Sequence, residues 1–137
     1  TEFAKLLFGY DEIKIGETST VILVEGVFDK IAVDKTLGLW DSDEVKCVCT
    51  FGKKISTYQI EMLKFKRVHR VILLYDFDAI KDIKKYGILI EQNFVTNIVY
   101  TTNKDIDECT REEALAVFEH PQRPFEFNVN TIGKLKR

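Results

Sequence analysis

Short apolar runs alternate with amphipathic stretches along the chain, and this alternation predicts the secondary structure. The runs from 21 to 24 and from 71 to 75 are continuously apolar up to Tyr75, which is typical of strands buried on both faces of a sheet. Two further runs, from 45 to 50 and from 95 to 100, have the same character. The pattern therefore predicts four short strands.

Helical periodicity fills the intervals between these strands. Apolar positions at helical spacing predict helices over residues 28–37, 56–65, 78–93 and 111–118. Gly38 predicts the end of the first helix, Ser56 is a predicted cap of the second, and Thr110 with Glu113 predicts a capping box for the last. The alternation predicts an α/β domain with a central, mostly parallel sheet of about four strands flanked by helices.

The composition is that of an ordinary globular protein, with 137 residues, of which 45% are hydrophobic and 31% charged. A net charge of −2 provides no global argument for nucleic-acid binding, although it leaves room for a local basic patch. No apolar run approaches the ~20 residues of a membrane helix, so no membrane partner is expected. Three cysteines at unpaired spacing argue against a disulfide framework and favour the cytoplasm.

The chain is expected to divide into three parts. A lead-in segment covers residues 1–20, a domain covers 21–119, and a C-terminal tail or linker covers 120–137, where Pro121 and Pro124 interrupt the pattern. The sequence does not begin with Met, which favours a fragment of a larger protein.

Two basic groups are candidate phosphate contacts, with an ordinary charged turn or tail as the alternative. One group precedes the third strand, at the end of the sheet opposite the carboxyl ends of the strands. This first group consists of Lys64, Lys66, Arg67, His69 and Arg70. The second group is the C-terminal run from Lys134 to Arg137.

Carboxylates follow two of the buried strands at the point where each strand ends. Glu25 follows the first strand, and Asp76 and Asp78 follow the third. Ligands of open parallel sheets bind beyond the carboxyl ends of the strands, so these side chains are candidates for one site. Converging carboxylates repel one another unless a cation lies between them, and hard oxygen ligands suit Mg²⁺ or Mn²⁺. As alternatives, Asp76 or Asp78 caps the next helix, and Glu25 is a solvated loop residue or a general acid/base.

A second acidic cluster follows the fourth strand at the same edge of the predicted sheet. Asp105 and Asp107 are candidates for a second pair of metal ligands, whereas an exposed loop before a helix would favour the same acidic residues. Asp82, one turn after Asp78, is either an added ligand or a solvated helix position.

These motifs resemble those of Toprim domains. The stretch VILVEGVFD from Val21 to Asp29 resembles the family's glutamate motif, and LLYDFDA from Leu73 to Ala79 resembles its Asp-x-Asp motif. The segment from Lys104 to Glu108 is similar to the late acidic motif of bacterial and phage primases. The resemblance extends from about Leu7 to Phe118. One departure is Ile80, since family members often place Gly soon after the Asp-x-Asp motif.

The resemblance implies a role for each matching residue. Glu25, Asp76 and Asp78 match the catalytic residues, which also hold metal, and Asp105 with Asp107 match the additional primase acids. Weaker matches are Asp29 and Asp82 as further acids and Lys53 and Lys54 as contacts to nucleotide or nucleic-acid phosphates.

The implied function is the catalytic domain of a DNA primase or primase-helicase. Such a domain makes RNA primers on single-stranded DNA from nucleoside triphosphates, with Mg²⁺ or Mn²⁺, beside a helicase domain or protein. Neither a Cys/His zinc module nor a Gly-x-x-x-x-Gly-Lys-Ser/Thr loop is present in this stretch. The alternatives are strand cleavage of the Toprim nuclease or topoisomerase type, and a non-catalytic DNA-binding module of the recombination-mediator type.

Overall fold

The computed structural model describes residues 2–132, in which parallel strands alternate with helices. The strands are β1 (Thr20–Val24), β2 (Val45–Cys49), β3 (Arg70–Asp76) and β4 (Val95–Thr101). The helices are α1 (Val27–Leu37), α2 (Thr57–Phe65), α3 (Ile80–Glu91), α4 (Arg111–Val117) and α5 (Pro124–Asn130). Short 3₁₀ turns lie at Glu2–Lys5, Tyr10–Glu12, Leu39–Asp41, Phe77–Ala79 and Ile106–Glu108.

The four strands form one parallel sheet in the order β2-β1-β3-β4. The predicted α/β class and the parallel sheet flanked by helices are therefore confirmed. From β1 the chain runs first to β2 on one side and later to β3 on the other, so the order reverses between β1 and β3. This reversal is the place where open α/β sheets bind ligands, beyond the carboxyl ends of the strands.

Both faces of the sheet are covered, which explains why β1 is continuously apolar. Val21 and Leu23 pack into the cluster that includes residues of α2 and α3, whereas Ile22 and Val24 pack into the cluster that includes residues of α1 and α4. Consecutive side chains of a strand point to opposite faces, so each residue of β1 reaches one of the two layers.

Local capping signals place most helix ends where the sequence predicts them. Gly38 ends α1 with a left-handed backbone (φ 65°), which glycine adopts without steric cost. Ser56 and Gln59 form a capping box at α2, and Thr110 and Glu113 form another at α4. The third helix begins later than predicted, because a 3₁₀ turn occupies Phe77–Ala79.

The N-terminal segment packs against the rest of the fold. Phe8 forms an antiparallel bridge with Cys49 at the edge of the sheet. The side-chain amide of Gln59 donates to the carbonyl of Leu6 at 2.8 Å, and the Ser56 hydroxyl donates to the carbonyl of Ala4. This part of the expected lead-in therefore contacts α2 directly.

The segment after α4 also packs on the sheet, where the sequence indicates a tail or linker. Gln122 forms an antiparallel bridge with Ile98 of β4, and helix α5 follows. Phe127 of α5 is fully buried and meets the rings of Phe77 and Tyr100. The packed fold thus continues beyond residue 119 to Thr131, whereas Lys134 to Arg137 lie outside the described residues.

Between residues 2 and 132, no helix is both long enough and apolar enough to span a membrane.

Candidate metal centre

Three strand ends meet at one edge of the sheet and form an acidic pocket. Glu25 directly follows β1, Asp76 ends β3, and Thr101 ends β4 beside Asp76 in the parallel register. Because β1 and β3 are neighbours, Glu25 and Asp76 come together at the reversal of strand order.

The pocket has a volume of about 280 Å³ and is dominated by acidic side chains. Its polar lining consists of Glu25, Asp29, Asp76, Asp78, Asp105, Lys53, Tyr75 and Thr101. Five carboxyl groups therefore face one ammonium group. Such an excess of negative charge favours binding of a cation.

Asp76 has a structural role in addition to its place in the pocket. Its Oδ1 accepts from the backbone amide of Asp78 at 3.4 Å and so caps the 3₁₀ turn that begins at Phe77. The sequence interpretation that one member of the pair caps the following helix is wrong for α3, which begins after Ala79 without a side-chain cap, because Asp76 caps the 3₁₀ turn before it. The cap fixes the turn between Asp76 and Asp78, and both side chains line the same pocket.

The late acidic cluster forms a compact group on the 3₁₀ turn after β4. Asp105, Asp107 and Glu108 each offer an oxygen within 4.8 Å of the others, and all three are exposed. Glu108 also accepts from the amide of Asp105 at 3.0 Å, in a reciprocal capping box. Buried Ile106 fixes the turn against the domain, so these carboxylates are held at the sheet edge.

Repulsion between carboxyl groups is visible in their pKa values. Burial raises the pKa of Glu25, and Lys53 opposes this shift while Asp105 and Asp76 add to it. Burial likewise raises the pKa of Asp105, helped by the adjoining Asp76 carboxyl. Both carboxyl groups are therefore harder to ionise, chiefly because they are buried and further because their neighbours are acidic.

Asp29 shows the largest effect of this kind. Burial raises its pKa to about 7, and the charge and contact of Asp107 contribute next, followed by Asp105 and Glu25. Asp29 lies in the first turn of α1 and lines the same pocket as Asp76. The sequence indicates Asp29 only as a weak candidate acid, whereas in the fold its carboxyl group belongs to the acidic cluster of the pocket.

The donor set fits a hard divalent cation. All five acidic groups of the pocket offer carboxylate oxygens, which Mg²⁺ and Mn²⁺ prefer over nitrogen or sulfur ligands. Asp105 adjoins Asp76, and Asp107 adjoins Asp29, so the acidic groups are continuous from β3 to α1. A cation among them would relieve the repulsion that raises their pKa values.

The remaining predicted site residues divide into two groups. Lys53 lines the pocket, whereas Lys54 lines an adjoining groove. Asp107 lies next to the pocket without lining it, and Asp82 also lies outside the lining, although its charge adds to the raised pKa of Glu25.

Sequence reasoning missed the supporting role of Tyr75. This buried side chain donates its hydroxyl to the carbonyl of Lys53 at 2.9 Å and so holds the loop that carries the pocket's ammonium group. The one feature of the sequence that could have indicated this role is the position of Tyr75 directly before Asp76. That feature is not specific, because aromatic residues are common at the ends of strands. Thr101, buried at the end of β4, has no signal of its own.

Replacing Tyr75 by Phe is expected to lower the free energy of unfolding by about 1 kcal/mol, because the Lys53 carbonyl loses a buried donor. Urea denaturation measures this change. Tyr58→Phe is the matched control, since Tyr58 is 54% exposed on α2 and its loss of a hydroxyl should be nearly neutral. Equal stability of the two variants would contradict a supporting role for Tyr75.

Comparison with protein families finds a match for this chain. The model of the Toprim domain family matches residues 20–106, from the start of β1 to the turn that follows Asp105. This range covers well over half of the chain and contains every residue that lines the acidic pocket. No curated protein and no solved structure matches the chain.

Proposed function

The chain belongs to the Toprim domain family, and from this premise we propose that it is the catalytic domain of a DNA primase or primase-helicase. The domain would make RNA primers on single-stranded DNA from nucleoside triphosphates, in the cytoplasm, as part of a larger protein with a helicase partner. The observation that supports the proposal is the meeting of Glu25, Asp76, Asp78 and Asp105 in one pocket with Lys53.

In this proposal the acidic residues have two different roles, metal binding and general base catalysis. Asp76 and Asp78, with Asp105 and Asp107, would hold Mg²⁺ or Mn²⁺. The bound ion would neutralise phosphate charge during nucleotidyl transfer. Lys53 would contact a phosphate of the incoming nucleotide, since its side chain lines the same pocket.

Glu25 is the proposed general base. A primer hydroxyl attacks the α-phosphorus of the nucleotide, a new P–O bond forms, and the bond to pyrophosphate breaks. The hydroxyl proton passes to the Glu25 carboxylate, which is half-buried at the end of β1. Lys53 would keep the reacting phosphate close to that carboxylate, and a cation held by Asp76 and Asp78 would offset the repulsion between their carboxylates and the phosphate.

A primer-extension assay tests the proposal on the 137-residue chain. The chain is incubated with single-stranded DNA and labelled ribonucleotides, with Mn²⁺ or Mg²⁺, and products are resolved on a gel. Extension products support a primase. Shorter DNA fragments that form without nucleotides would instead favour the nuclease alternative. Stable DNA binding with neither product would favour a non-catalytic module.

Glu25→Gln is expected to reduce extension by about 10²–10⁴-fold, because the amide cannot accept the hydroxyl proton. Product formed per unit time at saturating nucleotide measures the loss. Glu61→Gln is the matched control, since Glu61 is an exposed carboxylate on α2 whose side chain lies 3.3 Å from the Lys64 ammonium group. Extension at wild-type rate by the Glu25 variant would eliminate Glu25 as the base.

A further inference from the structure

A largely apolar groove adjoins the acidic pocket. It has a volume of about 640 Å³ and lies between the N-terminal segment, the loop after β2 and the start of α2. Phe3, Phe51 and Ile55 supply apolar walls, and Lys53 and Lys54 supply two ammonium groups. No carboxylate is among its lining residues in the described part of the chain. Lys53 lines the groove and the acidic pocket alike, so the two spaces adjoin at this residue.

Three phenylalanine rings cluster on this side of the molecule and remain open to solvent. Phe51 lies 5.3 Å from Phe3 and 6.2 Å from Phe8, measured between ring centroids. Their exposed fractions are 37%, 59% and 43% respectively. Most large apolar side chains of a small domain contribute to its core, so an exposed aromatic cluster of this kind marks a binding surface.

The backbone presents Phe51 toward the groove in a strained conformation. Its φ is 62°, in the left-handed region that a bulky residue rarely adopts. The conformation persists because the amide of Phe51 donates to the sulfur of Cys49 at 3.3 Å, and the Thr50 hydroxyl donates to the Gly52 carbonyl at 2.5 Å. Backbone strain held in this way is concentrated at functional sites.

We propose that this groove binds single-stranded nucleic acid, with a base stacked on the ring of Phe51 and the adjacent phosphates contacted by Lys53 and Lys54. The proposal rests on the proposed function and deepens it, because it gives the path by which a single strand reaches the acidic pocket. Aromatic stacking with lysine contacts is the usual way in which proteins hold single strands without reading their sequence.

The chemistry of the groove favours this occupant over a protein segment. A single strand carries a flat aromatic face and a negative phosphate in every unit, which matches exposed rings beside two lysines. A double strand keeps its bases stacked internally and offers no free face to Phe51. The shared residue Lys53 places the phosphates of the bound strand next to the pocket where phosphate chemistry is proposed.

Fluorescence anisotropy of a labelled oligo-dT strand tests the proposal in a buffer that contains EDTA, so that the acidic pocket holds no metal. The wild-type 137-residue chain is expected to bind oligo-dT several-fold more tightly than an abasic strand of equal length. Phe51→Gly is expected to weaken oligo-dT binding by roughly 5- to 100-fold. Glycine tolerates the positive φ, so this variant removes the ring while easing the backbone.

Two further variants serve as controls. Phe51→Tyr keeps an aromatic face and should bind nearly as tightly as the wild type. Phe125→Ala removes a ring that is 75% exposed on α5, outside the groove, and should leave oligo-dT binding unchanged.

Several results would overturn the proposal. These are equal binding of oligo-dT and the abasic strand, unchanged binding by Phe51→Gly, and no binding by the wild type. A wild-type dimer that Phe51→Gly converts to monomer would assign the groove to a second copy of the chain. Mn²⁺ titration without DNA reports separately on the acidic pocket. If the stacking test fails while Mn²⁺ still binds, only the groove proposal is refuted. If oligo-dT binding depends on Phe51 but the chain neither binds Mn²⁺ nor extends primers, only the proposed catalytic function is refuted.

Discussion

Replacing Asp76 and Asp78 together by Asn is expected to abolish binding of Mn²⁺ to this chain within the range accessible to calorimetry. The pair supplies two of the five carboxyl groups of the pocket. Mutation of residues that only support metal ligands costs 10–100-fold in affinity, so loss of two proposed ligands should cost at least about 100-fold. Titration calorimetry of the wild type and the double variant measures the difference.

This double variant should remain folded. Asn caps helices about as well as Asp, so the hydrogen bond to the backbone amide of Asp78 can be kept. The substitution also removes negative charge from a crowded acidic edge. Loss of metal binding can therefore be separated from loss of structure by circular dichroism of the same samples.

The chain offers a closely matched control in Asp41 and Asp43. These two residues have the same spacing, are exposed, and lie before β2, at the end of the sheet opposite the acidic pocket. Asp41→Asn with Asp43→Asn should leave Mn²⁺ affinity unchanged. If the Asp76/Asp78 variant binds as tightly as this control, the metal site would have to be sought in the cluster of Asp105, Asp107 and Glu108 alone.

Phe127→Ala is expected to lower the free energy of unfolding by about 3–5 kcal/mol, the range for truncation of a buried aromatic residue. Phe127 is fully buried, and its ring meets those of Tyr100 at 5.7 Å and Phe77 at 6.5 Å between centroids. Truncation would leave a cavity between α5 and the sheet. Urea denaturation followed by circular dichroism measures the change.

Phe125→Ala is the control for this prediction, because Phe125 lies on the same helix and is 75% exposed. Its truncation should change stability by no more than about 0.5 kcal/mol. If both variants were equally stable, α5 would not belong to the cooperative unit, and the expected tail or linker from residue 120 would be the better description.

The same truncation bears on the acidic pocket. Phe77, which meets Phe127, lies between Asp76 and Asp78 in the chain. A cavity at Phe127 loosens the support behind that turn, so we expect weaker Mn²⁺ binding in Phe127→Ala even under conditions where it is fully folded. Helix α5 thus contributes to the candidate site without lining it.

Local signals explain why so much of this fold can be predicted. Each apolar run that becomes a strand is bounded by polar or turn residues. Gly38 ends α1, and Ser56 and Thr110 cap the first turns of α2 and α4, so these helix ends depend on residues close by in the chain. The carboxylates at the ends of β1 and β3 follow directly from these boundaries. The late start of α3 escaped prediction because the cap by Asp76 competes with helix formation at Phe77.

The sequence by itself determined the strands, most helix ends and the three acidic motifs, since these depend on neighbours within a few residues. Only the tertiary structure decided that β1 lies beside β3, that Asp29 turns into the pocket, that Tyr75 holds the Lys53 loop, and that α5 packs on the sheet. Those arrangements depend on packing between residues far apart in the chain, and no local pattern encodes which distant surfaces meet.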